Sequence, residues 1–238
     1  MKLFKFIAIL FFDLLDKFFH QRRILGILKK KINEIDVFLD IGAHKGTYTD
    51  LVINNFKAKK VLMFEPQEDI FNYLKKKYKN KNNIFVINKA LSDKSNILDF
   101  NFNKHDLTSS LSKLDLKNDY LRLKAKLFST TSEGMIVKIK KIQTETLFSV
   151  LNDRNIQDVD FLKIDTEGHE LQVLQGMKDK IKKVRCMLVE FHNDEIYVSY
   201  NPEELHKFLV SNNFQLVKRF KFPFTTWEDR FYMNLKQQ

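Results

Sequence analysis

The stretch "VFLDIGAHKGTYTDLVINNFK", residues 37–57, decides how the rest of the chain is read. It opens with a short apolar run that ends on Asp40 and Gly42. Apolar residues then recur at helical spacing: Tyr48, Leu51, Val52 and Phe56. The first pattern is that of a strand buried on both faces, the second that of an amphipathic helix. Strand, glycine-rich turn and helix together begin a βαβ unit.

The same alternation extends outward. "KVLMFEP" (60–66) predicts a second strand and "EDIFNYLKKKY" (68–78) a second helix, with "IFVINKAL" (84–91) a third strand. Further on, "VDFLKID" (159–165) and "VRCMLVEFH" (184–192) read as strands. They are separated by the helix "HELQVLQGM", with Gly176 near its C-cap. "PEELHKFLVSNN" is a helix opened by Pro202 in its first turn. "FQLVKRF" and "RFYMNLK" are two last strands. The middle differs. "NILDFNF" (96–102) and "MIVKIKKI" (135–142) alternate partially and flank a polar segment, which reads as a β excursion carrying a flexible loop. A helix is expected to start near Thr144, with a threonine as N-cap. The pattern predicts an α/β fold, doubly wound and mostly parallel with helices on both faces. An antiparallel strand at the C-terminus and the β insertion complete it. The domain is placed at residues 31–238, with residues 1–30 as an appended helical, Phe-rich segment.

The chain has 238 residues, enough for one sizeable core. Its formal net charge of +11 invites polyanionic partners, although scattered lysines also simply solvate a surface. One cysteine, Cys186, excludes an intrachain disulfide and a cysteine metal cluster, and sits in an apolar run as a structural thiol. Cytoplasmic location is expected from this, with membrane association open. "MKLFKFIAILFFDLLDKFFHQRR" (1–23) has no uncharged run long enough to cross a bilayer. It reads either as an interfacial helix, with Lys2, Lys5, Arg22 and Arg23 near anionic lipid, or as a helix packed on the domain or on a second subunit. Oligomeric state is not legible.

In doubly wound sheets ligands bind beyond the carboxyl ends of the strands, near the point where strand order reverses. There the sequence offers Asp40, Gly42 and Gly46 after strand one and Glu65 after strand two. The fourth and fifth strands offer Asp165, Glu167, Glu190 and His192. "DIGAHKG" lacks the G-x-G-x-x-G spacing of dinucleotide binders, and the carboxylate of Asp40 suits a cation better than a pyrophosphate. Glu65 stands where an acid accepts hydrogen bonds from ribose hydroxyls. Together these point to S-adenosylmethionine.

Four blocks carry a resemblance to a known family: "FLDIGAHKGTYT", "VLMFEPQEDIFNYL", "VINKALSDKSN" and "VDFLKIDTEGHELQVLQGM". The chain resembles the FkbM family of S-adenosylmethionine-dependent methyltransferases over roughly residues 34–220. His44 stands where an Asn is common and Glu145 where Asp is frequent. The resemblance implies a Rossmann-like methyltransferase sheet and methyl transfer to oxygen, often on a sugar or glycan hydroxyl. Asp40, Gly42 and Gly46 would hold the methionine part of the cofactor, with His44 lining the site. Glu65, next to Pro66, would hold the ribose, and Ala90 and Leu91, ending the third strand, would lie near the adenine.

Methylating an alcohol requires its proton to leave. His169 is the natural neutral-pH base. Asp165 with Glu190 and His192 would instead form an oxygen-rich site for a divalent metal such as Mg²⁺. A third reading is alignment alone, with the acids, Glu167 among them, positioning hydroxyls. Glu170 reads as a complement to a helix dipole. The rivals are an RNA methyltransferase, a nucleotide-binding oxidoreductase and a membrane-associated assembly protein on a methyltransferase fold. Nucleic acid is not an expected partner, since the acids at 165–170 would repel phosphate.

Overall fold

The computed structural model describes residues 19–103, 108–127, 130–223 and 225–237. Helix α1 (Gln21–Lys31) leads into β1 (Val37–Ile41), α2 (Thr47–Ile53), β2 (Lys60–Phe64), α3 (Glu68–Lys77) and β3 (Ile84–Ile87). The short β4 (Ala90–Leu91), β5 (Ile97–Asn103), α4 (Asp119–Leu127) and β6 (Ile136–Glu145) form the insertion. The chain then continues through α5 (Leu147–Asp153), β7 (Val159–Ile164), α6 (Glu170–Gln175) and β8 (Val184–His192). It ends with α7 (Pro202–Ser211), β9 (Phe214–Lys221) and β10 (Trp227–Asn234).

The main sheet has the order β3-β2-β1-β7-β8-β10-β9. Pairing is parallel from β3 through β8, and β10 runs antiparallel between β8 and β9. Strand order therefore reverses between β1 and β7, which opens the crevice expected of a doubly wound fold. The central strands are buried on both faces because their side chains alternate. Leu39, Ile41, Leu62, Leu162, Ile164, Met187 and Val189 face one core, covered by α5, α6 and α7. Phe38, Val61, Met63, Phe161, Cys186, Leu188 and Phe231 face the other, under α1, α2 and α3. There Phe38 and Phe161 stack with ring centroids 5.1 Å apart.

Helix α1 crosses the expected boundary at residue 30. Ile24, Leu28 and Ile32, one and two turns apart, are fully buried in the second core. Residues 1–18, which hold most of the Phe-rich segment, lie outside the described residues. No helix among the described residues is long and apolar enough to cross a membrane.

Three expectations for the middle of the chain are corrected. The third strand stops at Ile87, because Asn88 turns away to donate to the carbonyl oxygens of Glu65 (2.9 Å) and Pro66 (3.1 Å). Ala90 and Leu91 instead pair in parallel with Thr144 and Glu145, in a second sheet of order β4-β6-β5. Thr144 belongs to β6, with its hydroxyl engaged by Asn96 and Lys94. The N-cap of α5 is Thr146, which accepts from Ser149 N at 3.1 Å. The polar segment also contains helix α4. Leu121 and Ala125, one turn apart, bury against Leu114, Met135, Ile196 and Tyr197, a third core over the mouth of the crevice.

Candidate active site

Strand periodicity builds the site. On the face that carries Phe38, Phe161, Leu188 and Phe231, the same alternation places Asp40, Lys163, Glu190, His192, Asp229 and Trp227. Register aligns them across strands: Asp40 opposite Lys163, Asp229 opposite Glu190, and Trp227 opposite His192. The apolar file near the middle of the sheet thus becomes a polar row at the strand ends. These ends open into a cavity of about 540 Å³. Among the described residues seven carboxylates line it, from Asp40, Glu65, Asp165, Glu167, Glu190, Asp194 and Asp229, against one lysine, Lys89.

On one side, Asp40 is fully buried at the end of β1 and accepts from Thr49 Oγ1 at 2.6 Å. Burial pushes its carboxyl up to about 6, against the opposing pull of Thr49 and Lys163. Glu65 closes β2 and clamps the glycine turn, accepting from His44 N at 3.0 Å and Gln67 N at 2.8 Å. Gly42, His44, Pro66, Ala90 and Leu91 line the cavity with them. Gly46 does not. It caps α2 with φ +79°, where an added β-carbon would lie 2.5 Å from the Tyr78 hydroxyl, which donates to the Gly46 carbonyl at 3.0 Å.

On the other side stand Asp165, Glu167, His169, Glu190 and His192, all on the cavity wall. Asp165 is taken by Lys163, whose Nζ donates to Oδ2 at 2.9 Å. Burial opposes charge on this lysine, but Asp165, Asp229 and Glu190 together outweigh it and hold its pKa above the ordinary value. The residues that converge as an expected metal set are therefore not Asp165, Glu190 and His192. They are Glu167, Glu190 and His192, whose ligand atoms all lie within 4.8 Å of one another. Glu167 is held at φ +56° and receives a hydrogen bond from the Tyr197 hydroxyl.

His169, the expected neutral-pH base, lies on the cavity wall. It stands at the N-cap of α6 with Nε2 2.9 Å from Ser92 Oγ, and burial lowers its pKa to about 4, which makes it a weak proton acceptor. For His192, burial works against charge, but Glu190, Glu167 and Glu170 prevail and raise it. Glu170 does more than complement a dipole. Fully buried, its Oε1 accepts from Thr166 N (2.8 Å), Gly168 N (3.2 Å) and Thr166 Oγ1 (3.1 Å), tying down the loop that presents Glu167.

Several residues in and behind the wall were missed. Lys163 sits in an apolar run where a lysine looks incidental. Asp229 accepts from His20 Nε2 at 2.9 Å and Tyr48 OH at 2.7 Å, and Trp227 stacks on Phe222 with centroids 4.8 Å apart. The alternation of "WEDRF" marks Trp227, Asp229 and Phe231 as one face.

Residues 40–216 match the model of a family described as methyltransferase FkbM domain. The chain is 25% identical over 190 residues to hexuronic acid methyltransferase AglP of Haloferax volcanii, covering 79% of this chain and 67% of that protein. It is 23% identical over 203 residues to 2-O-methyltransferase NoeI of Sinorhizobium fredii, covering 84% and 79%. Among solved structures, a methyltransferase FkbM from Methylobacillus flagellatus aligns with a TM-score of 0.55 and 16% identity, covering 84% of this chain. This chain spans only 43% of that one. TrmK of M. capricolum, solved with S-adenosyl-homocysteine, aligns with a TM-score of 0.50 and 12% identity, covering 89% and 67%. At such identities both structures show the shared fold alone.

Proposed function

The chain is a methyltransferase domain of the FkbM family, and from that premise we propose that it methylates a hydroxyl group of a neutral sugar or glycan, using S-adenosylmethionine. The acidic cavity at the strand-order reversal carries this reading. A buried carboxylate at Asp40 offers a counter-charge to a cation, and a second at Glu65 offers hydrogen-bond acceptors to a diol. A pyrophosphate would meet repulsion on every side, which disfavours both the oxidoreductase and the RNA readings.

S-adenosylmethionine supplies, when bound, a methyl group on a cationic sulfonium. Asp40 gives the charge that attracts its methionine part, and Glu65 gives acceptors for its ribose. Gly42 lets the β1–α2 turn lie directly against the Asp165 carbonyl, which keeps the two halves of the cavity adjacent. Asp165, Glu167 and Glu190 accept hydrogen bonds from sugar hydroxyls and orient one of them. Burial lowers the pKa of His169 and the surrounding acids raise that of His192, so in this reading alignment supplies most of the chain's contribution, and the hydroxyl proton passes to water.

The names of the two curated relatives, one acting on a hexuronic acid and one a 2-O-methyltransferase, support a sugar acceptor. The acidic lining favours a neutral sugar over an acidic one. The stacked Trp227 and Phe222 offer an apolar wall to the C–H face of a sugar ring. Trp227→Ala is expected to raise the acceptor KM roughly tenfold while S-adenosylmethionine affinity stays within about twofold. Steady-state kinetics with each substrate varied in turn checks this. The function itself is tested with methyl-tritiated S-adenosylmethionine, offered with neutral oligosaccharides, uronic-acid oligosaccharides and tRNA. Label in the neutral sugars is expected; label confined to RNA would overturn the reading.

A further inference from the structure

The loop after β7 and the end of β8 bring two carboxylates and one imidazole to a single point on the cavity wall. His192 Nε2 lies 3.1 Å from Glu190 Oε2 and 4.0 Å from Glu167 Oε2. Glu190 and His192 thus form a close ion pair, and the two facing atoms are fully shielded from solvent. A lone buried polar pair normally finds partners. Here Glu167 adds a second carboxylate beside that pair, so three ligand atoms lie within 4.8 Å of one another.

The spacing is that of ligands around a small cation. With metal–ligand distances of ~2.1 Å, two ligands at right angles lie ~3.0 Å apart and two opposite ligands ~4.2 Å apart. The observed separations of 3.1 Å and 4.0 Å match one adjacent and one near-opposite pair. The surroundings hold the ligands in place. The Tyr197 hydroxyl donates to Glu167 Oε2, and the His192 ring lies edge-on to Tyr197 and Tyr200, at 5.0 Å and 5.5 Å. Such outer partners orient metal ligands.

We propose that Glu167, Glu190 and His192 form a binding site for one divalent cation, with its open positions facing the cavity. A set of one imidazole and two carboxylates suits Mn²⁺ or Zn²⁺ better than Mg²⁺, which prefers oxygen alone. The use of such a cation, to hold the acceptor hydroxyl and ease loss of its proton, rests on the proposed methyl transfer; the site itself does not.

The test is a titration of metal-free full-length protein with Mn²⁺ alone, read as loss of the free-ion electron paramagnetic resonance signal. One tight site per chain is expected in the wild type. Glu167→Gln and Glu190→Gln should each weaken it by 100-fold or more. Tyr197→Phe, which keeps all three ligands, should weaken it roughly tenfold. Binding of S-adenosyl-homocysteine in EDTA, by calorimetry, reports separately that each variant is folded and that the cofactor half is intact. No tight Mn²⁺ site in a protein that binds S-adenosyl-homocysteine would overturn the cation site and leave the methyltransferase reading standing. Mn²⁺ affinity unchanged in all three variants would overturn it equally, as an adventitious ion elsewhere.

Discussion

Asp40→Asn is expected to weaken S-adenosylmethionine binding by 100-fold or more, about 2.7 kcal/mol, while making the ligand-free protein more stable. Both effects follow from burial of the same carboxylate. Its pKa rises from the ordinary 3.8 to about 6 in the fold, with burial the largest cause. Between those values the native state holds a proton that the unfolded chain has lost, so stability falls as pH rises through the window. Above pH 6 the full cost of about 3 kcal/mol is carried. Asparagine keeps the acceptor for Thr49 and removes the charge. At pH 7.5 the ligand-free melting midpoint should rise by about 5 °C or more, and at pH 4 the difference should vanish. S-adenosylmethionine binding in the wild type should weaken as pH drops below 6, because the cation loses its counter-charge. Calorimetry and thermal melts across pH check all of this; retained affinity together with a lowered midpoint would contradict it.

Gly42→Ala is expected to have the largest effect on stability. Gly42 has φ +74°, and a β-carbon there would lie 1.7 Å from the Asp165 carbonyl oxygen. Neither partner has slack, since both are backbone at the centre of the sheet: Gly42 N donates to Phe64 O at 3.1 Å and Asp165 N to Ile41 O at 3.0 Å. The turn must move or the strands must part. A loss of more than about 4 kcal/mol, or failure to accumulate as folded protein, is the expected outcome. Gly26→Ala provides the contrast. It lies inside α1, where an added β-carbon would meet nothing within 4 Å, and should stabilise by roughly 1 kcal/mol. Denaturant melts of the two variants beside the wild type measure the difference.

The parallel half of the sheet was legible because its strands are short continuous apolar runs, each closed by a turn residue. The positions of Asp40 and Glu65 followed from the same rule, being the first polar residues after those runs. Asp165, Glu167, His169, Glu190 and His192 were legible as cavity residues for that reason too, but their partners were not. Lys163 claims Asp165 only because β7 turns both onto one face beside Tyr48, and a buried lysine has no local signature. Tyr197 reaches Glu167 from a separate loop, a contact that depends on tertiary packing. The Asp229–Glu190 pairing requires that β10 insert between β8 and β9, and no local pattern states the order in which strands join a sheet. Helix α4 was hidden because only Leu121 and Ala125 mark its buried face, within a polar and basic stretch.

The most direct test of the central claim is a calorimetric titration of the purified, folded chain with S-adenosylmethionine at pH 7.5. One site of micromolar affinity, lost in Asp40→Asn, is the predicted result. No heat of binding from a chain that melts cooperatively would contradict the methyl-transfer reading of this cavity.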